Sequence, residues 1–447
     1  MSDQSDAAQP TDDDARQASS LAAERASIAS QGASDYVRRV FEDTTSKARS
    51  VLGHKDRIFC CRCHVYFFSG EDVDQESVDQ ESEGFVLVAT GSEDKTVRLW
   101  RGSLGSRKFK LLHELQAHQE ECLSVEWSPD GCTLASCGAD NKVVFWSIDP
   151  AQIGSVVPAI TCTLRHRDHV YRAIFAPVGL AGLEEEVDGE DLVVTCCGSQ
   201  ILFWSTAVAA GAGGDSGQGE GDNEGKLLFS KTLDLRGKAF GGVRNPDKLV
   251  DIFDIAVAED RVAAACSDGT VRVLKFSRVQ VVEHVIGLFQ SPVTCLRFMS
   301  DVNQSLVGND LVVCCKDGGS HLVDVERSLM AEKPATRRSW WAHQESVYAC
   351  TPVPGTSKLM TCSRDCAVKL WDMGLDVGEG ETEEVGSAPH LLGCFNKKDY
   401  PFHSADFAIV PTSEGGGITL GGALLVAAGG QSGMFGTPWF YFWAGKV

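Results

Sequence analysis

The sequence predicts an all-β fold assembled from a repeated antiparallel unit. Three observations predict it: a recurring strand-turn-strand pattern, period-two alternation within the strands, and turn signals between them. Phe85 to Trp100 reads FVLVATGSEDKTVRLW, Thr133 to Trp146 reads TLASCGADNKVVFW and Lys358 to Asp372 reads KLMTCSRDCAVKLWD. Each apolar strand enters a tight polar turn and leaves it as an alternating strand that reaches a Trp, and self-similarity of this kind marks a repeat architecture. In Thr96-Val97-Arg98-Leu99-Trp100, Val97 and Leu99 share one face and the other three residues share the opposite one, the period of a strand and not of a helix. Upstream of the second copy, Leu123 to Gly131 reads LSVEWSPDG, a strand followed by a Pro-Asp-Gly turn.

The spacing of polar residues in these copies carries a resemblance. His54, Thr90, Asp94 and Trp100 form one set, His118, Ser136, Asp140 and Trp146 a second, and His343, Thr361, Asp365 and Trp371 a third. In every set the Asp precedes the Trp by six residues and the Ser or Thr precedes it by ten. The pattern resembles the WD40 repeat family. That resemblance implies a seven-bladed β-propeller of four-stranded sheets, with the four side chains of each set joined in a buried hydrogen-bond chain. Four further blades follow the pattern more loosely. Blade three runs from His166 through Val170 to Phe175 and then Leu192 to Trp204, with a turn one residue shorter and Ser199 near the place of the Asp. Blade four, Asp251 to Phe276, keeps Asp268 but has Leu274 for the Trp. Blade five, Val293 to Val325, keeps Asp317 and has Val323 there, and blade seven, Ala405 to Trp443, keeps Trp443.

The last strand at the C-terminal end, Thr437 to Trp443, is expected to be the third of blade seven. Lys47 to Gly53 (KARSVLG) has nothing else to pair with and is expected to supply the fourth strand, leaving no open edge. The domain reading is therefore a disordered acidic and polar tail over 1–35 and a propeller over 36–447, closed by residues 47–53. Tyr36 to Phe41 has its apolar residues at helical spacing.

Acidic residues outnumber basic ones, 62 to 41, giving a formal charge of -21, which opposes direct DNA binding. The N-terminus carries Asp3, Asp6 and Asp12 to Asp14 where a signal or transit peptide needs basic and apolar residues, so the expected location is cytoplasmic or nuclear, with the 17 cysteines reduced. Gly415 to Gly445 lacks charged residues, but Gly and Pro interrupt it. It reads as two buried strands, and no membrane span is expected.

Four insertions, Gly70–Gly84, Leu183–Asp191, Gly211–Gly225 and Gly374–Ser387, hold many carboxylates and no Lys or Arg. Two lie between first and second strands and two between third and fourth, connections that emerge on the same side of an antiparallel blade. On the opposite side, here called the leading face because each blade's first strand begins there, fall Lys55, Arg57, Lys95, Lys142, Arg165, Arg167, Lys316 and Arg364. The basic connection Arg236, Lys238, Arg244 and Lys248 falls there too. The family resemblance implies partner binding over this face, and the cations favour an acidic or phosphorylated segment.

No catalytic constellation emerges. Cys60 and Cys63 form a C-x-x-C pair, but on a strand an odd spacing sends the sulfurs to opposite faces. The doublets Cys196-Cys197 and Cys314-Cys315 read as buried structural thiols. Gly214-Asp215-Ser216-Gly217 lies in a Gly-rich insertion without a base, and Gly225-Lys226 lacks the following Ser or Thr of a phosphate loop. Trp371-Asp372-Met373-Gly374 lacks the Arg of the Trp-Asp-x-Arg element of cullin-ligase receptors. The expected function is a non-catalytic scaffold that assembles a multiprotein complex, with no cofactor or metal. The alternative is a recognition module in RNA processing, ribosome assembly or chromatin that reads an acidic or modified peptide on the leading face.

Overall fold

The computed structural model describes residues 49–52, 54–66, 85–103, 108–176, 192–206, 226–232, 250–258, 260–276, 281–299, 309–331, 335–353, 356–374, 388–397, 400–414, 417–430 and 439–446. Among the described residues, seven four-stranded antiparallel sheets succeed one another along the chain, the expected all-β propeller. Six are made of consecutive strands, within 58–115, 122–165, 170–232, 252–288, 293–341 and 347–396. The seventh combines Phe402–Glu414, Gly417–Gly429 and Trp439–Lys446 with a strand from the other end of the chain, Arg49–Leu52. That pair is antiparallel, with Arg49 opposite Phe442 and Leu52 opposite Trp439. The first strand of each blade packs against that of the next, and blade seven packs against blade one, so the ring is closed. The tail and the Tyr36 to Phe41 segment, the four acidic insertions except Gly374, and the basic connection 236–248 lie outside the described residues.

Burial grades outward from the channel. First strands such as Cys122–Trp127, Val170–Phe175 and Val293–Phe298 are buried except at every third residue, which is half-buried. Second strands such as Phe85–Ser92, Leu192–Cys197 and Lys358–Ser363 are buried throughout. A strand covered on both faces by neighbouring blades has no solvent side to carry polar residues, which is why these segments read as continuous apolar runs and not as alternation. Outer strands such as His390–Asn396 are largely exposed.

A register shift recurs just after the first residue of every first strand, at Phe59, Leu123, Tyr171, Phe253, Thr294, Tyr348 and His403. Such a bulge sharpens the local twist and turns one side chain toward the rim of the channel. The turn between second and third strands needs a left-handed residue directly after its Asp. Gly269 (φ 81°) and Gly318 (φ 93°) meet this without strain, while Lys95 (φ 71°), Asn141 (φ 64°) and Cys366 (φ 67°) meet it at a cost.

One element has no counterpart in the strand reading: a short helix, Val325–Ala331, between the third and fourth strands of blade five. Asp324 caps it, accepting from Arg327 N at 3.0 Å, and Glu326 on its first turn pairs with Arg261 of blade four at 2.7 Å. At seven residues the segment is too short to show helical periodicity against its surroundings.

Removal of residues 44–53 is expected to lower the melting temperature of the whole propeller, because it strips blade seven of a strand, whereas removal of residues 1–30 leaves it unchanged. Thermal unfolding of the two truncations checks this, and equal melting temperatures would refute it.

Candidate interaction face and channel

The three polar sets are joined as hydrogen-bonded chains. His54 Nδ1 lies 3.0 Å from Asp94, its Nε2 lies 2.8 Å from Thr90 Oγ1, and Trp100 Nε1 donates to the same hydroxyl at 3.0 Å. In blade two the His118–Asp140, His118–Ser136 and Trp146–Ser136 distances are 3.0, 2.9 and 3.0 Å. In blade six His343–Asp365, His343–Thr361 and Trp371–Thr361 are 3.0, 2.8 and 2.9 Å. The polarity of each chain follows from its ends. An indole N–H only donates and a carboxylate only accepts, so the hydroxyl donates to Nε2 and Nδ1–H donates to the Asp. Each carboxylate also accepts a backbone N–H from the leading loop: Lys55 at 2.8 Å, Gln119 at 3.0 Å and Gln344 at 3.0 Å. Burial opposes the charge on Asp140 and Asp365, but the bonds from His118 and His343 outweigh it and hold both carboxyls below the usual range.

Blade three keeps most of the chain, through a residue that spacing alone misses. His166 Nε2 lies 2.8 Å from Thr195 Oγ1, and Trp204 Nε1 donates to Thr195 at 3.0 Å. Thr195 precedes Trp204 by nine residues because the turn is one residue shorter. No Asp follows it, and His166 Nδ1 is buried without a hydrogen-bond partner. Burial pushes the His166 pKa down to about 4. Blades four and five lose the hydroxyl together with the indole: Ala264 and Val313 stand four residues before Asp268 and Asp317, and Leu274 and Val323 stand at the Trp position, all buried. Replacing both partners by apolar groups leaves no orphaned donor at those positions.

A second network, not found by the sequence reading, crosses the first strands around the channel. Arg62 of blade one pairs with Glu126 of blade two at 3.2 Å, and Arg172 of blade three reaches the same carboxylate at 2.7 Å. Arg172 also faces Asp254 of blade four at 3.8 Å, and Arg297 of blade five meets Asp254 at 2.6 Å. On the other side of blade one, Asp406 of blade seven accepts the Cys63 N–H at 2.7 Å. Burial, with Arg297 and Arg62 nearby, lowers Arg172 to about 10, and burial raises Asp406. Each charge sits in a short apolar strand and reads singly as an irregularity. Only the ring brings them together.

The WD domain, G-beta repeat family matches residues 46–101, 109–147 and 335–372, the blades with the complete hydrogen-bond chain. The chain is a WD40-repeat propeller. Similar solved structures agree at the level of the fold: one described as U3-55K (TM-score 0.54, 16% identity, 89% of this chain and 98% of that one) and one as the RRP9 WD40 repeats (0.54, 16%, 90% and 98%). Among curated proteins, a Drosophila melanogaster protein HIRA homolog is 35% identical over 13% of this chain. A probable cytosolic iron-sulfur protein assembly protein 1 from Candida glabrata is 37% identical over 14%, and an Arabidopsis thaliana WD repeat-containing protein WDS homolog is 26% identical over 66%. These matches span 7%, 21% and 46% of the relatives' own lengths. Among the described residues, no helix is long and apolar enough to cross a membrane.

On the leading face of this WD40 propeller, Lys55, Lys95, Arg165, Arg167, Lys316 and Arg364 are exposed, while Arg57 and Lys142 are half-buried. Carboxylates that a count of cations passes over offset at least three of the eight. Arg57 forms a two-pronged pair with Glu93 at 2.6 and 2.9 Å, Lys95 meets Glu120 at 3.2 Å, and Arg364 meets Glu345 at 3.3 Å. The face is therefore of mixed charge at these places. At the channel rim the bulged residues gather as a ring cluster: His403 stacks on Tyr348 at 4.7 Å and meets Phe59 edge-on at 5.5 Å, with the Arg57 guanidinium 5.3 Å from the Phe59 ring. All four side chains are half-buried.

Two outcomes follow. Asp94→Ala, Asp140→Ala and Asp365→Ala are each expected to cost about 1 to 3 kcal/mol, since a buried histidine N–H loses its acceptor and the leading loop its anchor; urea unfolding of the single variants measures it. The pH dependence follows from His166. With its folded pKa depressed to about 4, the native state binds fewer protons than the unfolded chain, so its contribution is complete above about 6.5 and is lost as pH falls toward 4. His166→Gln should flatten the fall in urea midpoint between pH 7 and pH 5, and an unchanged slope would exclude the assignment.

Proposed function

We propose that this WD40 propeller is a non-catalytic scaffold that binds protein partners over its leading face in the cytoplasm or nucleus. The carrying observation is the half-buried cluster of Phe59, Tyr348, His403 and Arg57 at the channel rim. Aromatic side chains and Arg are the residues that anchor protein interfaces, because they present large contact area at small entropic cost. Here stacking and the Glu93 pair already hold them in place, so little ordering remains for a partner to impose. The exposed Lys55, two residues from Arg57, and the exposed Arg165, Arg167 and Lys316 of other blades suit an acidic or phosphorylated stretch of the partner.

The test is affinity capture with the full-length chain, wild type against a variant with Lys55, Arg57, Arg165 and Arg167 all changed to Glu, followed by mass spectrometry. A discrete set of proteins should be lost from the variant while it remains folded by circular dichroism. An unchanged partner list would reject the leading face as the binding surface.

A further inference from the structure

Blades five and six meet across three thiols. Cys295 and Cys314 are direct cross-strand partners on the first and second strands of blade five, Val293–Phe298 and Asp310–Cys315, and Cys350 comes from the first strand of blade six, Val347–Pro352. The three Sγ atoms lie within 4.8 Å of one another, and all three residues are buried. Each is a free cysteine. Ser320 Oγ donates to Cys314 Sγ at 3.3 Å, which adds a fourth potential donor atom.

The repeat does not demand this arrangement. Cys137, Cys196 and Cys362 occupy the register of Cys314 in blades two, three and six, but they pair with Ser124, Arg172 and Ala349 and not with a second thiol. A small side chain satisfies the packing there; sulfur at all three corners goes further than packing requires.

Thiolates are the preferred ligands of soft d10 cations, and sulfurs bound to one zinc at about 2.3 Å stand roughly 3.8 Å apart. A contraction of at most about an ångström, within reach of small side-chain rotations, brings the three Sγ atoms to that spacing. Binding releases the thiol protons to solvent and leaves an anionic centre. Arg297, paired with Asp254 at 2.6 Å, lies near enough to act electrostatically on Cys350 and Cys295 as well.

We propose that Cys295, Cys314 and Cys350 form a buried site for a soft d10 cation, Zn(II) or Cu(I), that clamps blade five to blade six. Three sulfurs suffice for Cu(I), and the Ser320 hydroxyl completes four donors for Zn(II).

The full-length chain, purified without chelators from cells supplied with zinc in one arm and copper in the other, is analysed for metal by mass spectrometry. About one equivalent of one metal is expected per folded wild-type chain, retained in Cys362→Ala, a buried thiol outside the trio, and lost in Cys350→Ala and Cys314→Ala. Copper loading brings a thiolate charge-transfer band in the near ultraviolet. For zinc, Co(II) substitution in the wild-type chain reports thiolate ligation directly, so the site is tested even where a cysteine variant fails to fold. Folded wild type that holds well below one equivalent in both arms, or metal retained equally in Cys350→Ala, overturns the proposal.

Discussion

A four-stranded blade buries neither of its faces alone, and everything else in this chain answers to that constraint. Second strands such as Phe85–Ser92 and Lys358–Ser363 are apolar on both sides because the neighbouring blades, not solvent, cover them. A row of such blades would still end in two uncovered sheets. The antiparallel pairing of Arg49–Leu52 with Trp439–Lys446 removes the problem by making the chain ends share one blade, so the free energy of the last interface depends on a contact between residues almost 400 apart in sequence. Loop-closure entropy grows only slowly with such a separation, which makes the arrangement affordable.

Closure alone does not fix how each leading loop sits on its blade. The hydrogen-bonded chains do, since Asp94, Asp140 and Asp365 each take both a histidine N–H and a backbone N–H of the incoming loop. Blade three shows what part of that arrangement is dispensable. It keeps the histidine, hydroxyl and indole without the carboxylate, leaving His166 Nδ1 buried and unpartnered. Blades four and five replace hydroxyl and indole together, and the core there is simply apolar. Partial loss of the chain costs more than complete replacement, because desolvation of an orphan has no compensation.

This difference explains what the sequence makes legible. In the complete chains the hydroxyl, Asp and Trp have fixed spacing within ten residues and stand out by counting. Thr195 escapes the count because one residue is missing from its turn. The channel network escapes because Arg62, Glu126, Arg172, Asp254 and Arg297 belong to five blades, and no local period links them. The helix Val325–Ala331 is too short to override a strand pattern, and its cap at Asp324 is a single residue's signal. On the leading face the cations are visible in sequence, but whether Glu93, Glu120 and Glu345 neutralise them depends on which loops become neighbours.

The rim cluster bears on the choice between recognition and catalysis. A general acid or base works best with a pKa near the operating pH. Burial moves His403 away from that range, down to about 4, so at neutral pH the ring is an uncharged aromatic surface. Burial likewise raises Tyr348, which keeps its proton, and Arg57 is committed to Glu93. These groups are thus poor proton carriers and good contact surface: neutral rings held by stacking, with a guanidinium whose charge is already partnered. On the proposed function, a partner docking there would meet little reorganisation and little unpaired charge to desolvate, the condition under which aromatic anchors contribute most to binding.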